Sequence, residues 1–103
     1  MNKCYEVFIS AETQEQADKI LNTLIEKKLA TGGQFLKSPA RFLWKGEIAE
    51  MEYFTITSFT IDEKKDALIA EVETISVEEV PMIRLLPVEI NAKLENWITN
   101  TLN

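Results

Sequence analysis

The side chains available for acid–base or metal chemistry near neutral pH are carboxylates, amines and one thiol, because this 103-residue sequence contains no histidine. Histidine is the usual proton-transfer group near pH 7 and the commonest ligand of zinc and copper. The thiol belongs to Cys4, whose strand-like surroundings are more typical of a small core residue than of a reactive group. A copper or zinc site would therefore need Cys4, methionines or carboxylates contributed by several subunits.

The candidate carboxylates are Glu47, Glu50 and Glu52, and the pair Glu78 and Glu79. Oxygen ligands of this kind suit hard cations such as calcium and magnesium. A solvated acidic surface accounts for the same residues. Neither a Ser/His pair nor a glycine-rich phosphate loop accompanies them, so the sequence predicts a protein that is not an enzyme.

The length and composition predict one domain spanning residues 1–103, with 46% hydrophobic residues and a net charge of −6. The negative charge disfavours nucleic acid and anionic lipid as partners. No apolar run approaches the roughly 18 residues of a membrane span. The single cysteine and the charged residues Lys3 and Glu6 near the N-terminus predict a cytoplasmic location.

In the first third of the chain, Tyr5, Val7 and Ile9 alternate with their neighbours, which predicts a strand. Thr13 and Gln16 have the spacing of a capping box, and the apolar residues from Ala17 to Leu29 follow a helical period. We expect Gly32-Gly33 to end this helix, because glycine readily adopts left-handed geometry.

From Phe35 to Ile61 the chain is rich in aromatic and β-branched residues, interrupted at residues 44–47, where Gly46 permits a tight reversal. This pattern predicts a hairpin. Pro39 places the first arm at a sheet edge, because a proline nitrogen cannot donate to the ladder.

The last third begins with Asp62, which is predicted to cap a second helix that ends before Pro81. Residues 82–90 are strand-like, although Pro87 forces an edge or a break. Asn91 is positioned to cap a last helix. The order β-α-β-β-α-β plus a terminal helix predicts an α+β, ferredoxin-like antiparallel sheet.

The third strand should be apolar on both sides, because its large side chains fall at odd and even positions alike. Two helices can cover only one face of the sheet. The second face therefore predicts a partner subunit or a ligand surface. The residues on one side are Glu52, Phe54 and Ile56, and those on the other are Met51, Tyr53, Phe59 and Ile61.

Several short motifs, in this order and spacing, resemble the CutA family of divalent-cation tolerance proteins from about Val7 to Ile98. This resemblance implies a ferredoxin-like protomer in a tight homotrimer, with hairpin strands of neighbouring subunits paired, and an association with copper and other divalent cations. The motifs are Leu29-Ala30, Phe42 to Gly46, Val80-Pro81, Leu86-Pro87-Val88 and Trp97.

The polar positions of the family pattern are replaced in this chain. Its usual cysteine after Leu-Ala falls at the Thr31-Gly32 step, and its His-Pro-Tyr segment falls near Ser76-Val77-Glu78. The glutamate after Val-Pro is Met82, the Lys-Thr pair is Phe59-Thr60, and the tyrosine before the last tryptophan is Leu94. The sequence therefore predicts no metal site or cofactor, with a divalent cation such as copper as the alternative.

A cleft between subunits is the remaining candidate site. Arg84 would act there as an anion anchor, and the same aromatic residues could instead pack the trimer. The alternative function is a PII-like trimeric sensor of a small molecule or anion, although residues 44–47 are too short for that class's long loop. The cleft or interface residues are Phe42, Trp44, Tyr53, Met82, Arg84 and Trp97.

Two other classes with this element order fit less well. Acylphosphatases carry an arginine-bearing phosphate loop that the acidic segment Ser10 to Thr13 does not match. RNA-recognition domains stack bases on aromatic residues of the central strands, and Phe8, Tyr53 and Phe54 could imitate those. They lack the basic and glycine pattern of that motif, so nucleic acid is not expected.

Overall fold

The computed structural model describes residues 3–103. Its four strands form one antiparallel sheet in the order β2-β3-β1-β4, which confirms the predicted ferredoxin-like topology. Within the described residues, no helix is long and apolar enough to cross a membrane. The elements are β1 (Cys4–Ala11), α1 (Gln14–Glu26), β2 (Gln34–Trp44), β3 (Glu47–Ile61), a 3₁₀ turn (Asp62–Lys64), α2 (Lys65–Ile75), β4 (Ile83–Pro87) and α3 (Ala92–Leu102).

Helix α1 begins where the sequence predicts, because the Thr13 hydroxyl accepts a hydrogen bond from the Gln16 backbone N–H at 3.1 Å. Its end differs from the prediction. Lys28 adopts a left-handed φ of 55°, and the Leu29 N–H donates to the Leu24 carbonyl at 2.8 Å. This hydrogen bond belongs to the Schellman motif, which satisfies the last carbonyls of a helix. The helix therefore stops several residues before Gly32.

The two glycines serve the passage from α1 into the sheet. Gly32 has a φ of 95°, and its carbonyl accepts a hydrogen bond from the Ser58 hydroxyl at 2.9 Å. A Cβ atom on Gly33 would collide with the carbonyl oxygen of Thr57 in β3. Gly33 is therefore required for close backbone approach rather than for ending the helix.

The β2–β3 hairpin reverses in two residues, Lys45 with φ 50° and Gly46 with φ 83°. Positive φ at both positions is what a type I′ turn requires, and this turn matches the twist of the two strands. The predicted edge position of Pro39 is confirmed, because β2 is one edge of the sheet. Strand β4 is the other edge, and it ends at Pro87.

The second helix differs from prediction at its start. Asp62 opens a 3₁₀ turn, and α2 begins at Lys65 with no side-chain hydrogen bond at its N-cap. The Asp62 carboxylate is engaged elsewhere, since the Tyr5 hydroxyl donates to it at 2.9 Å. This hydrogen bond, supported by Lys65 at 3.4 Å, lowers the pKa of Asp62. The helix ends at Ile75, before Pro81 as predicted.

The last strand and helix are close to their predicted positions. Strand β4 is shorter than the expected span of residues 82–90: it begins at Ile83, and its last register pair with β1 is Tyr5 and Pro87. Asn91 occupies the N-cap position of α3, but its side chain makes no capping hydrogen bond.

The main core lies between one face of the sheet and helices α1 and α2. The buried residues of β1 on this face are spaced by two, and those of α1 by three and four, so both periods meet in one apolar layer. The largest members are Val7, Ile9, Ile20, Leu24, Ile56, Leu68 and Val72.

A second, smaller core lies at one end of the opposite face, where α3 packs. Ile98 and Leu102 of this helix contact Cys4 of β1 and Ile61 of β3. Cys4 and Ile61 are register partners and alternate with residues of the main core, so they point to the other side of the sheet. The chain's own last helix therefore covers part of the second apolar face, which was not anticipated from the sequence.

Candidate functional site

A concave pocket of about 380 Å³ lies between the β2–β3 hairpin and residues 76–82, the segment that joins α2 to β4. This volume falls within the range of small-molecule sites. We call it the hairpin pocket. Its lining residues are Glu12, Phe42, Leu43, Trp44, Ala49, Met51, Tyr53, Val77, Glu78, Glu79, Val80 and Met82.

The hairpin supplies the aromatic wall. Phe42 and Trp44 are two residues apart on β2, so they point to the same side of the strand. Tyr53 on β3 faces the same way, and its ring meets that of Phe42 edge to face, with centroids 5.5 Å apart and planes at 72°. This arrangement suits the ring quadrupoles and fixes the two rings relative to each other.

Ser10 attaches the opposite wall to the sheet. Its N–H donates to the Met82 carbonyl at 3.0 Å, and its hydroxyl oxygen accepts from the Met82 N–H at 2.9 Å. The same hydroxyl donates to a carboxylate oxygen of Glu78 at 2.9 Å. These bonds hold residues 78–82 against the end of β1. A serine at a strand end carries no sequence signal for this role, so sequence reasoning missed it.

The charged groups at the pocket are mostly acidic: Glu12, Glu78 and Glu79 belong to the lining. Burial raises the pKa of Glu78, the Ser10 hydroxyl opposes that change, and nearby Glu12 adds to it. Beside the pocket, the Lys45 ammonium lies 3.1 Å from Glu79 and 5.4 Å from the centre of the Trp44 ring.

Four of the six residues predicted for a cleft or interface come together in this pocket: Phe42, Trp44, Tyr53 and Met82. Arg84 lies on β4 outside the lining, with its guanidinium 5.3 Å from the centre of the Phe8 ring. Trp97 lies on α3, also outside the lining, and is 49% exposed. In the single chain Arg84 is therefore not an anion anchor for the pocket. A role for these six residues in a cleft or interface stays a prediction.

The other candidate carboxylates lie along the exposed hairpin. Glu50 pairs with Arg41 at 2.8 Å, and Glu52 with Lys37 at 3.7 Å. Among residues 3–103, no group of three or more acidic or cysteine side chains is placed to hold a metal ion. Cys4 is buried beneath α3, and this burial, with a smaller contribution from Glu95, raises the pKa of its thiol.

The sheet order and the three helices define a ferredoxin-like α+β protein with an added C-terminal helix. Comparison of the sequence with known protein families identifies its family. The family model of the CutA1 divalent ion tolerance protein matches residues 5–101. The chain therefore belongs to the CutA1 family, which confirms the resemblance stated from the sequence. The divalent-cation tolerance protein CutA of Archaeoglobus fulgidus is 30% identical over 96 residues, which cover 92% of this chain and 94% of that protein.

Solved structures of the family superpose closely on this chain. The A. fulgidus CutA structure has a TM-score of 0.92 at 28% identity, covering 97% of this chain and 99% of that one. The divalent cation tolerance protein of Thermus thermophilus has a TM-score of 0.87 at 25% identity, covering 92% and 94%. CutA1 of Ehrlichia chaffeensis, at 21% identity, shares the fold with a TM-score of 0.92 and covers 100% and 98%.

The predicted cytoplasmic location is wrong by this comparison, because the A. fulgidus structure is that of a periplasmic divalent cation tolerance protein. The prediction rested on one cysteine and a charged N-terminal stretch. Neither feature distinguishes the two compartments: a protein with a single cysteine needs no oxidising environment to fold and tolerates one.

Proposed function

We propose that this protein is a non-enzymatic homotrimer that serves divalent-cation tolerance, and that the β2–β3 hairpin forms its subunit interface. The observation that carries the proposal is the exposure of the hairpin. No residue of β2 is buried, although the strand contains Phe35, Leu36, Phe42, Leu43 and Trp44. An apolar strand without cover in its own chain is a surface for association with other copies.

The exposed residues lie on both faces of the hairpin. Leu43 and Ile48 are register partners on one face, and they are 78% and 72% exposed. Trp44 points to the other face and is 43% exposed. A partner on a single side would leave one of these faces in water, so contact with two neighbours, as in a closed trimer, accounts for both.

The role in cation tolerance is carried over from the family, without the family's polar site. At the position of the usual cysteine, Gly32 has a φ of 95°, and a Cβ there would lie 3.3 Å from the side chain of Ile25. A cysteine would therefore be strained at this position. This local geometry supports the proposal that the chain does not bind copper as a family member with that cysteine would.

Light scattering coupled to size exclusion tests the assembly. We expect a mass three times the 11.8 kDa of the chain. Ile48→Ser should lower the apparent mass at high dilution. Ile25→Ser changes a residue of α1 that is 43% exposed and lies outside both the hairpin and its pocket, and should leave the mass unchanged. A stable single chain at high dilution would refute the homotrimer.

Calorimetric titration with copper(II) tests the second part of the proposal. We expect no saturable heat at micromolar concentrations, because histidine is absent and thiolate and imidazole are the ligands that copper prefers. Micromolar binding with a defined stoichiometry would contradict the loss of the family's metal site. The oligomeric mass, measured on the same sample, keeps the two parts of the proposal separate.

A further inference from the structure

The hairpin pocket combines a one-sided charge with an apolar interior. Among the described residues, 3–103, the lining contains three acidic side chains, Glu12, Glu78 and Glu79, and no basic one. Although Lys45 pairs with Glu79 at the edge of the pocket, the charged side chains of the lining are all acidic, and this favours a cation over an anion. An anion, one of the two kinds of ligand considered for a PII-like sensor with its site between subunits, does not match this charge.

Three aromatic rings line the same space: Phe42, Trp44 and Tyr53. The faces of aromatic rings are electron-rich and attract cations within about 6 Å of the ring centre. The thioethers of Met51 and Met82 complete the apolar wall, and their polarisable side chains adapt to ligands of different shape.

Lys45 shows that a cation is accepted at the edge of this pocket. Its ammonium group lies 5.4 Å from the centre of the Trp44 ring and 3.1 Å from the Glu79 carboxylate. One ammonium group thus uses an aromatic ring and a carboxylate at the same time. The chain itself supplies the combination of contacts by which an organic cation would be recognised.

Glu78 is half-buried, and among the described residues 3–103 it forms no ion pair. The donor to its carboxylate is the neutral hydroxyl of Ser10, at 2.9 Å. A partly buried carboxylate without a counter-ion is costly, and burial accordingly raises the pKa of Glu78. A cation beside Glu78 would remove this cost.

We propose that the hairpin pocket binds a small organic cation, an amine or quaternary ammonium group on an apolar body, with its charge beside Glu78 and its body against the aromatic wall. Hard divalent ions need several oxygen ligands converging on one point. Aromatic rings and thioethers instead favour an organic cation, whose charge is spread over a group with an apolar surface. This proposal goes beyond the metal chemistry proposed above, and it requires that the subunit interface on the hairpin leaves the mouth of the pocket open.

The test is an NMR titration of the full chain with benzyltrimethylammonium chloride. We expect saturable shifts that include the Trp44 indole N–H. Benzyl alcohol, an uncharged aromatic, should bind at least about tenfold more weakly, because it lacks the attraction to the rings and the carboxylate. Benzoate should not bind. Higher salt should weaken the interaction with the cation.

The variant Glu78→Gln removes the charge and keeps an oxygen that can accept from the Ser10 hydroxyl. Its Kd for the cation should rise about fivefold to tenfold. Glu73→Gln makes the same change at an exposed position of α2 outside the lining, and should leave the Kd within about twofold. If Glu78→Gln does not fold, as judged by its thermal transition, Phe42→Leu is the replacement, with a similar expected loss of affinity.

Three results would each overturn the proposal: no saturable binding of the cation, equal binding of benzyl alcohol, or equal weakening by Glu73→Gln. Light scattering on the same samples reports the assembly separately. A trimer that does not bind the cation refutes the pocket proposal alone. A monomer that binds it refutes the homotrimer and leaves the pocket proposal intact.

Discussion

Strand β3 passes through two different environments. Its C-terminal half, Phe54–Ile61, pairs with β1 and contains four buried residues, among them Ile56 and Ile61. In its N-terminal half, Glu47–Tyr53, no residue is buried, and β2 is the strand that pairs with it. Both halves carry apolar side chains. The C-terminal half is stabilised by its own chain, whereas the N-terminal half carries apolar residues that its own chain leaves uncovered.

The largest expected effect is the loss of a β3 side chain from the main core. Ile56→Ala should destabilise the fold by about 4 kcal/mol at any protein concentration, because Ile56 is fully buried and its removal leaves a cavity. Chemical denaturation at two protein concentrations measures this. The same change in the other half, Ile48→Ala, should cost less than about 1 kcal/mol at high dilution. Equal losses at high dilution would remove the distinction between the two halves.

Trp44→Ala addresses the hairpin through a larger side chain. If neighbouring copies bury Trp44, the assembly should lose about 3 kcal/mol per subunit, and the unfolding midpoint should depend more steeply on protein concentration. Thermal unfolding over a hundredfold dilution series measures this. Ile25→Ala is the matched control, because Ile25 has the same exposure as Trp44, 43%, but lies on α1, outside the predicted interface. A concentration-independent loss would place Trp44 outside the interface.

Gly33 lies where β2 begins to pair with β3. It directly precedes β2, and its backbone lies against that of Thr57 in the C-terminal half of β3. Gly33→Ala should destabilise the chain by about 2 kcal/mol, because the new methyl group forces the two strands apart. Gly46→Ala meets no neighbouring atom and should cost only about 1 kcal/mol, for its positive φ. Denaturant titration of both variants gives the order, and the reverse order would contradict the close approach at Gly33.

The smallest effect is electrostatic. The pKa of Asp62 is lowered in the folded state by the Tyr5 hydroxyl and Lys65, so its contribution to stability is present above its unfolded pKa of about 3.9. This contribution is lost as the pH falls through the lower folded pKa. Asp62→Asn should therefore unfold at a lower temperature at pH 7 and match the parent near pH 2. Glu50→Gln, from the exposed pair with Arg41, should show a smaller difference at pH 7. A difference for Asp62→Asn that persists near pH 2 would exclude this cause.

The features predicted correctly from the sequence depend on local chemistry. The Thr13 cap, the reversal at Gly46 and the edge position of Pro39 each follow from one residue type and its nearest neighbours. The overall topology followed from the order of these elements.

The features that sequence reasoning missed depend on distant contacts or on unfavourable local choices. Ser10 and Glu78 are 68 residues apart, and Tyr5 and Asp62 are 57 apart, so no pattern of spacing announces either hydrogen bond. Lys28 ends α1 in a left-handed backbone conformation that is unfavourable for lysine, four residues before Gly32, where glycine would adopt it without steric cost. Arg84 lies outside the pocket lining, with its guanidinium over the Phe8 ring, and its place in a cleft between subunits stays a prediction.

The prolines of the two edge strands set a limit on how the sheet can extend. The Val88 N–H donates to the Cys4 carbonyl at 3.2 Å, so Cys4 and Val88 are a hydrogen-bonded pair and the adjacent pair, Tyr5 and Pro87, is not. The nitrogen of Pro87 therefore points outward. In β2, Trp44 and Glu47 flank the two-residue turn as a hydrogen-bonded pair, and hydrogen-bonded and non-hydrogen-bonded pairs alternate from there. The pair of Pro39 and Glu52 is therefore not hydrogen-bonded, and the nitrogen of Pro39 also points outward. Each edge strand thus lacks one outward hydrogen-bond donor at its proline, which weakens the addition of a further strand there and disfavours unlimited fibrous growth.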